Sequence, residues 1–361
     1  MAGAVAACDS EGSEDDRAAV RQALLSDLAN SVIDPLHKAF EQDAATLQRA
    51  VVAFTSDPSQ PNLETAQNAW VSAAVSWRKL AALNLPGPVR SGIFHNRINT
   101  WPANVDFIED AIATTDTVNE AYVERLGSSS RGLPGLEYLL FEGGTTAVIE
   151  RMSADSQRRA YVLAVAQNVA SKAGELTQTW SRDGGNQLAA FELANTEGRS
   201  LQSSISRIVN EMAMVAEDLR HVKLGAPLGI ARNPDDPNTA PRPERVEAPY
   251  AEVSVQLFSA EVDALRAIIT ANGGTGLDDY LVTLDAEFEG SPLGEVILAQ
   301  LDRLEAEISG QTGSLKALVQ DNPDALMPAY AETGQLLRLV KADLANWLGV
   351  SITFSDNDGD S

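Results

Sequence analysis

Side chains that build catalytic or metal centres are scarce in this 361-residue chain. It contains one cysteine, and its three histidines are His37, His95 and His221. None of them stands in the His-Glu-x-x-His pattern of a zinc-peptidase helix, and a serine or cysteine nucleophile would need one of them as its base. A single cysteine also excludes a disulfide within the chain. The sequence therefore gives hydrolase chemistry little local support.

Basic residues and long apolar runs are scarce as well. Lys and Arg number 27 against 51 Asp and Glu, a formal net charge of -24, so nucleic acid or an anionic membrane surface would be repelled. No apolar run approaches the ~20 residues that cross a bilayer. Hydrophobic residues make up 44% of the chain and charged residues 22%, as in a globular protein of one large or two ordinary domains. The negative field favours cationic ligands.

The single cysteine, Cys8, lies in a segment typical of a lipid attachment site. Small residues precede it in Val5-Ala6-Ala7, and a polar acidic stretch follows it from Asp9 to Asp16. This pattern resembles the end of a bacterial lipoprotein signal, in which Cys8 becomes the lipidated first residue of the mature chain. We therefore expect residues 1–16 to be a signal remnant and an acidic tether, with membrane contact only through a lipid on Cys8. The alternative is an unmodified terminal thiol.

Strand signals are almost absent, and the apolar residues follow a helical period. They recur at steps of three and four from Ala66 to Leu80 and from Ile205 to Val222, as on helices that pack face to face. We predict an all-α fold of two antiparallel helical bundles, 17–143 and 147–361. The second bundle contains a proline-rich connection, 225–249, of a length that is usually functional or mobile. Two bundles of similar size are compatible with an ancient duplication.

One carboxylate stands among apolar residues that a helix would bury. Glu137 occurs in Gly132-Leu133-Pro134-Gly135-Leu136-Glu137-Tyr138-Leu139-Leu140-Phe141, and an ionised carboxylate is rarely buried without a partner. The glycine-proline-glycine start of this helix also indicates a close backbone approach. The candidate partners of Glu137 are an arginine, a metal or a ligand.

Five motifs, in the same order, resemble the imelysin family. They are Gln67-Asn68-Ala69-Trp70 through Trp77-Arg78, Gly87-Pro88, Arg97-Ile98-Asn99-Thr100-Trp101-Pro102, Arg131 through Phe141, and the tail Leu348 through Asp360. The resemblance covers most of the chain, from Leu28 to Asp360. It implies an all-helical protein of two bundles, exported to the bacterial cell envelope, often as a lipoprotein on the periplasmic side, and associated with iron-regulated expression and iron uptake.

The family has also been classed with metallopeptidases through a Gly-x-His-x-x-Glu motif. In this chain the motif reads Gly132-Leu133-Pro134-Gly135-Leu136-Glu137, so Pro134 replaces the histidine. Proline offers no lone pair to a metal, and Glu137 alone cannot hold a transition metal tightly. The resemblance thus implies a binding protein that holds a metal complex, a haem-like ligand or an envelope protein partner. A metal-dependent hydrolase with relocated ligands is the alternative.

Arginine is the partner that we expect for Glu137. Four arginines cluster in or near the family motifs: Arg78, Arg90, Arg97 and Arg131. A guanidinium binds a carboxylate through two parallel hydrogen bonds, and Trp77 or Trp101 could stack on it. Two interpretations stay open. One is a structural ion pair that fixes the loop 85–101 against the helix after Gly132, and the other is a network that lines a ligand pocket.

Weaker metal candidates lie outside the motifs. Asp34 with His37, and Asp218 with His221, have spacings that place ligands on one side of a helix. Facing each other across a bundle, they would resemble a carboxylate-bridged iron site. Exposed helical charges are the commoner explanation of such spacings.

The residues that we expect to bind a ligand come from five separate stretches of the chain. Lys223 ends a strong predicted helix, and Asp356 belongs to an acidic tail that would fold back onto the bundles. This tail lacks the spacing of an EF-hand loop, so calcium is only weakly indicated. The full set is Glu137, Arg131, Arg97, Trp101, Arg78, Trp77, Lys223 and Asp356.

Overall fold

The computed structural model describes residues 9–83, 92–115, 117–196, 200–201, 203–230 and 239–353. Over these ranges the chain is mainly helical with very little strand, which confirms the predicted all-α fold. No described helix is long and apolar enough to span a bilayer. The α-helices are α1 Asp9–Leu28, α2 Asp34–Ser56, α3 Gln60–Ala81, α4 Gly92–Ile98, α5 Val105–Thr114, α6 Glu120–Val123, α7 Gly132–Phe141, α8 Gly144–Ala154, α9 Ser156–Trp180, α10 Gln187–Leu193, α11 Ser204–Glu217, α12 Ala226–Leu228, α13 Ser254–Thr270, α14 Leu277–Thr283, α15 Leu293–Ser309, α16 Leu315–Asp321, α17 Met327–Arg338 and α18 Ala345–Trp347.

Short elements connect these helices. Strands β1 Glu287–Phe288 and β2 Ser291–Pro292 pair antiparallel, with Glu287 opposite Pro292. The described 3₁₀ turns are Ser128–Ser130, Pro243–Arg245, Ala271–Gly273 and Pro323–Leu326. The acidic stretch Asp9 to Asp16, expected to be a tether, is instead the first part of α1. Acidic residues are favoured there because the helix dipole is positive at its N-terminus.

Within the described ranges, three long helices each contain one widened, π-helical turn. Ala29–Ile33 joins α1 to α2, Asp218–Gly225 joins α11 to α12, and Leu339–Leu344 joins α17 to α18. The residues at both ends of each turn keep right-handed helical dihedrals, so the helices continue through it. Such turns are frequent at functional sites because they change the direction of the side chains that they carry. The turn Asp218–Gly225 carries Lys223.

The main helices pack in two groups. In the first, α2 packs on α3 and α9, and α7 packs on α3 and α9; in the second, α13 packs on α15 and α15 on α17, which also contacts α11. Helix α3 contacts α13 and so joins the groups. The predicted boundary between 143 and 147 leaves α9 in the second bundle, whereas α9 packs in the first group. The division of the chain into domains stays a prediction.

Apolar burial explains why these segments are helices. The predicted stripe is buried from Ile205 to Leu219, with Ile208 and Met212 at 1% and 0% exposure. Burying one such side chain stabilises the fold by about 1.5–3 kcal/mol. Helix α11 begins after Ser203, whose side chain accepts a hydrogen bond from the amide of Ser206. The apolar stripe and its cap together fix the helix that leads to Lys223.

Helix α7 begins where its backbone touches the end of α4. Gly132 has a φ of +72°, and a Cβ on it would lie 2.8 Å from the carbonyl carbon of Ile98 and closer still to its oxygen. Trp70 Nε1 donates a hydrogen bond of 2.9 Å to the carbonyl of Leu133. The close backbone approach predicted at this glycine is confirmed. It places the residues that follow Ile98 beside α7.

We expect Gly132→Ala to lower the free energy of unfolding by about 2–4 kcal/mol, since the new methyl group would overlap Ile98 in a left-handed conformation. Chemical denaturation measures this change. Gly135→Ala is the matched control, because its Cβ would lie 3.6 Å from the nearest atom, in Ser130. This control should change stability by less than ~1 kcal/mol. Equal losses in the two variants would contradict the role given to Gly132.

Candidate functional site

A polar cleft of about 650 Å³ opens where the two groups of helices meet. Helix α3, the segment after α4, the π-helical turn Asp218–Gly225 and the 3₁₀ turn Pro243–Arg245 supply its walls. Its size lies in the range of small-molecule sites. The lining residues are Arg78, Asn96, Asn99, Thr100, Trp101, Pro102, Asp218, Val222, Lys223, Ala226, Glu244 and Arg245.

Four buried charged side chains meet at the cleft, and we call them the quartet: Arg78, Lys223, Glu247 and Glu261. Their side chains are 6–7% exposed. Arg78 pairs with Glu247 and lies 3.5 Å from Glu261 Oε1. Lys223 Nζ lies 2.9 Å from Glu247 Oε2 and 2.6 Å from Glu261 Oε1. Each cation therefore faces both carboxylates.

Glu247 keeps its charge despite burial. Burial alone would raise the pKa of Glu247, but the charges of Arg78 and Lys223 outweigh it and hold that pKa well below its usual range. Asn99 Nδ2 also lies 3.4 Å from Glu247 Oε1. Burying one of these charges without its partners would cost several kcal/mol, which is why all four are found together.

Glu137 is buried beside the quartet, at 4% exposure, but its partners are not the ones expected. Its Oε1 accepts hydrogen bonds from the amides of Tyr250, at 2.7 Å, and Ala251, at 3.0 Å. Among the residues that the structure describes, no arginine forms an ion pair with it. The predicted arginine pair is therefore wrong for Arg78, whose guanidinium is bound by the quartet carboxylates.

The environment of Glu137 shifts its titration. Burial raises the pKa of Glu137 to about 7, and the negative charge of Glu247 acts in the same direction. The hydrogen bonds from the amides of Ala251 and Tyr250 lower the pKa but do not outweigh burial. Glu137 and Pro134 line a narrow cavity of about 10 Å³ together with Trp101. Arg78, Asn99 and Trp101 line both this cavity and the cleft, so Glu137 lies directly behind the cleft wall.

Arg97 and Arg131, also expected to pair with Glu137, instead converge on Glu124. Arg97 Nη1 lies 2.8 Å from Glu124 Oε1, and Arg131 Nη1 lies 3.3 Å from Oε2. Trp77 packs in the first bundle, where its ring centroid lies 5.0 Å from that of Phe40. These three predicted ligand-binding residues therefore have structural surroundings. Arg78, Trp101 and Lys223 are the predicted residues that line the cleft.

The two pairs of predicted metal ligands, Asp34 with His37 and Asp218 with His221, do not form a metal site in the described structure. No group of three or more His, Cys, Asp or Glu side chains within the described ranges is arranged to hold a metal ion. His37 is buried, binds the carbonyl of Ile33 through Nδ1 at 2.8 Å, and burial lowers its pKa to about 4. Asp34 pairs with Lys38 at 2.6 Å. Asp34 and His37, the first pair of predicted metal ligands, therefore bind local protein groups.

The second metal set has local contacts as well. His221 lies 3.4 Å from Glu217, which also pairs with Lys341 at 2.9 Å. Asp218 lines the cleft near Arg78. Three further predictions, for Cys8, Arg90 and Asp356, fall outside the described residues.

Sequence reasoning missed the two carboxylates of the quartet and Arg245. Glu247 lies in the proline-rich connection that was expected to be functional or mobile, and this was the available signal. Glu261 lies on the buried face of α13 and Arg245 on an exposed 3₁₀ turn. Neither carries a local pattern that distinguishes it from an ordinary helical or surface charge.

The fold and the cleft define a class: all-helical proteins of two packed helical groups with a polar site between them. A family model described as imelysin, peptidase M75, matches residues 33–340. The chain belongs to the imelysin family. It is similar to iron-regulated protein A of Synechococcus elongatus, with 23% identity over 224 residues. That match covers 59% of this chain and 56% of the relative, so the chain spans little more than half of the relative's length.

Solved structures show the same fold. An imelysin-like protein from Psychrobacter arcticum matches with a TM-score of 0.74 and 17% identity over 93% of this chain and 98% of that one. A Parabacteroides distasonis structure, named as an iron-regulated protein A precursor, matches with a TM-score of 0.73 and 17% identity over 91% and 95%. At this level of identity the likeness shows the fold alone.

We expect Arg78→Met to lower the free energy of unfolding by about 3–5 kcal/mol, because it leaves two carboxylates buried beside a single cation. Lys79→Met is the matched control on the same helix. Lys79 forms a solvent-exposed pair with Asp263 at 2.9 Å, and its loss should cost about 0–1 kcal/mol. Urea denaturation at pH 7 measures both changes. Similar losses would show that the quartet contributes no more than a surface pair.

Proposed function

We propose that this protein is a cell-envelope binding protein with an iron-related role, whose cleft holds a metal complex or a haem-like ligand. The observation that carries the proposal is the convergence of Arg78, Trp101 and Lys223, each expected from sequence to bind a ligand, on one cleft of about 650 Å³. Membership of the imelysin family and the similarity to iron-regulated protein A support the iron-related role. A lipid on Cys8 would attach the chain to the periplasmic side of a membrane.

The residues of the cleft suit binding better than peptide hydrolysis. Pro134 stands where the family motif has histidine, and it lines the narrow cavity with Glu137. Glu137 Oε1 already accepts two amide hydrogen bonds, which orient this oxygen toward the protein backbone. Neither His37 nor His221, the histidines whose side chains the structure describes, lines the cleft. Glu137 and Glu247, two carboxylates beside the cleft, already have partners, which limits their use as general bases.

The cleft offers recognition groups of several kinds. Trp101 is half-buried and presents an aromatic surface, while Glu244 and Arg245 are exposed at the cleft. Arg78 and Lys223 form the charged floor. A ligand with carboxylate groups can reach Arg245, and a planar ligand can stack on Trp101. Carboxylate-bearing iron complexes and haem-like compounds both have carboxylate groups, and haem-like compounds are also planar.

We expect calorimetric titration to detect 1:1 binding of ferric citrate or haemin to protein purified without a metal-chelating tag. Arg245→Gln should weaken binding about tenfold or more, because it removes a guanidinium at the cleft. Arg303→Gln is the control: Arg303 lies on α15, its side chain is 55% exposed, and it faces Glu332. Its affinity for the probe should equal that of the unchanged protein.

Failure of both probes to bind would contradict the proposed function. Elemental analysis of the same preparation tests the alternative. Stoichiometric zinc or iron that is lost in Glu137→Ala would favour a metal-dependent hydrolase.

A further inference from the structure

A strained segment leads from the cleft to helix α13. Residues 246–253, which we call the strap, carry Glu247 and contain two non-glycine residues with left-handed backbone, Ala248 at a φ of 52° and Glu252 at 58°. Such conformations are costly for residues with a Cβ and persist only where the surrounding structure holds them. The strap therefore depends on contacts outside itself.

Glu137 supplies two of these contacts. Its Oε1 accepts the amide hydrogens of Tyr250 and Ala251, which lie between the two strained residues. The ring of Tyr250 packs edge-to-face on that of Tyr138, with centroids 5.7 Å apart. Lys316 donates a hydrogen bond of 3.3 Å to the carbonyl of Pro249. Above the pKa of Glu137 its carboxylate is an anion, so both of its bonds to the strap are charge-assisted there.

The same strap delivers Glu247 to the quartet. Glu247 lies three residues before Tyr250 and places its carboxylate between Arg78 and Lys223. The side chain of Ser254 donates to the carbonyl of Glu247 at the other end of the strap. Holding the amides at 250 and 251 therefore fixes the backbone from which Glu247 reaches the floor of the cleft.

We propose that Glu137 is a positioning residue that holds the strap by its backbone and thereby sets Glu247 between Arg78 and Lys223. It acts on the cleft through Glu247, without contacting the ligand. This role uses a carboxylate and needs no histidine at position 134. The consequence for ligand affinity rests on the proposed function, whereas the consequence for the strap does not.

The role makes the strap sensitive to pH. The charged and titratable groups that face Glu137 from the described elements are Arg78 on α3, Glu247 and Tyr250 on the strap, and Lys316 on α16. Burial raises the pKa of Glu137 to about 7, so the folded protein binds this proton at a higher pH than a free glutamate would. Below that pH the two amides donate to a neutral acid, which is a weaker acceptor than a carboxylate.

The test follows the Tyr250 amide by NMR in protein labelled with [¹⁵N]tyrosine. The chain contains six tyrosines, so the spectrum has few signals. Tyr250→Phe removes one signal and so assigns it. We expect the shift of this amide to titrate with a midpoint near pH 7 and the titration to vanish in Glu137→Gln. Glu211→Gln is the matched control, because burial raises the pKa of Glu211 to about 8 on a different helix. This control should leave the Tyr250 titration in place.

Hydrogen exchange measures how firmly the backbone of the strap is held in place. At pH 8, Glu137→Leu should lower the protection of the strap amides about tenfold or more, and Glu137→Gln should restore most of it because its side-chain carbonyl still accepts. A Tyr250 amide that does not titrate, or that titrates equally in Glu137→Gln, would overturn the proposal. The Gln variant decides this even if Glu137→Leu does not fold.

Binding of ferric citrate separates this proposal from the proposed function. We expect Glu137→Leu to weaken it about tenfold and Glu137→Gln to restore it. Full affinity in a Glu137→Leu variant whose strap has lost protection would overturn the link between the strap and the cleft. A normal strap titration in a protein that binds neither ferric citrate nor haemin would support the positioning role and contradict the proposed function.

Discussion

The quartet of Arg78, Lys223, Glu247 and Glu261 determines how the two groups of helices meet. Each of its charges is buried, and each would destabilise the fold if its partners were absent. The four residues come from α3, a π-helical turn, the strap and α13, so the arrangement requires all of these elements in register. The floor of the cleft is therefore a property of the assembled protein, and neither group of helices can form it alone.

The fold followed from the sequence to the extent that it depends on apolar periodicity. The stripe from Ile205 to Leu219 is buried as predicted, because helix packing requires a continuous apolar face. The group to which α9 belongs was not predictable, because the apolar stripe of an amphipathic helix does not indicate which helix packs against it. The π-helical turns were missed for a related reason: their residues keep helical periodicity closely enough to resemble an uninterrupted helix.

The site was predictable in its cationic and aromatic members and not in their pairing. Arg78, Trp101 and Lys223, predicted to bind a ligand, line one cleft, but the guanidinium binds Glu247 and Glu261, which lie far away in the chain. The partners of Glu137 are backbone amides. Almost every residue carries a backbone amide, so the sequence does not indicate which amides bind Glu137. Arginines are identifiable in the sequence, and the prediction therefore paired Glu137 with them.

The π-helical turn Asp218–Gly225 bears on how members of this family can be compared. Such a turn is equivalent to one residue inserted into an α-helix, and each residue of an α-helix rotates the chain by about 100°. A relative without the insertion would present a different face of the following helix at this cleft. Alignments through this helix should therefore allow a gap of a single position, because an ungapped comparison would set Lys223 against a residue that points elsewhere.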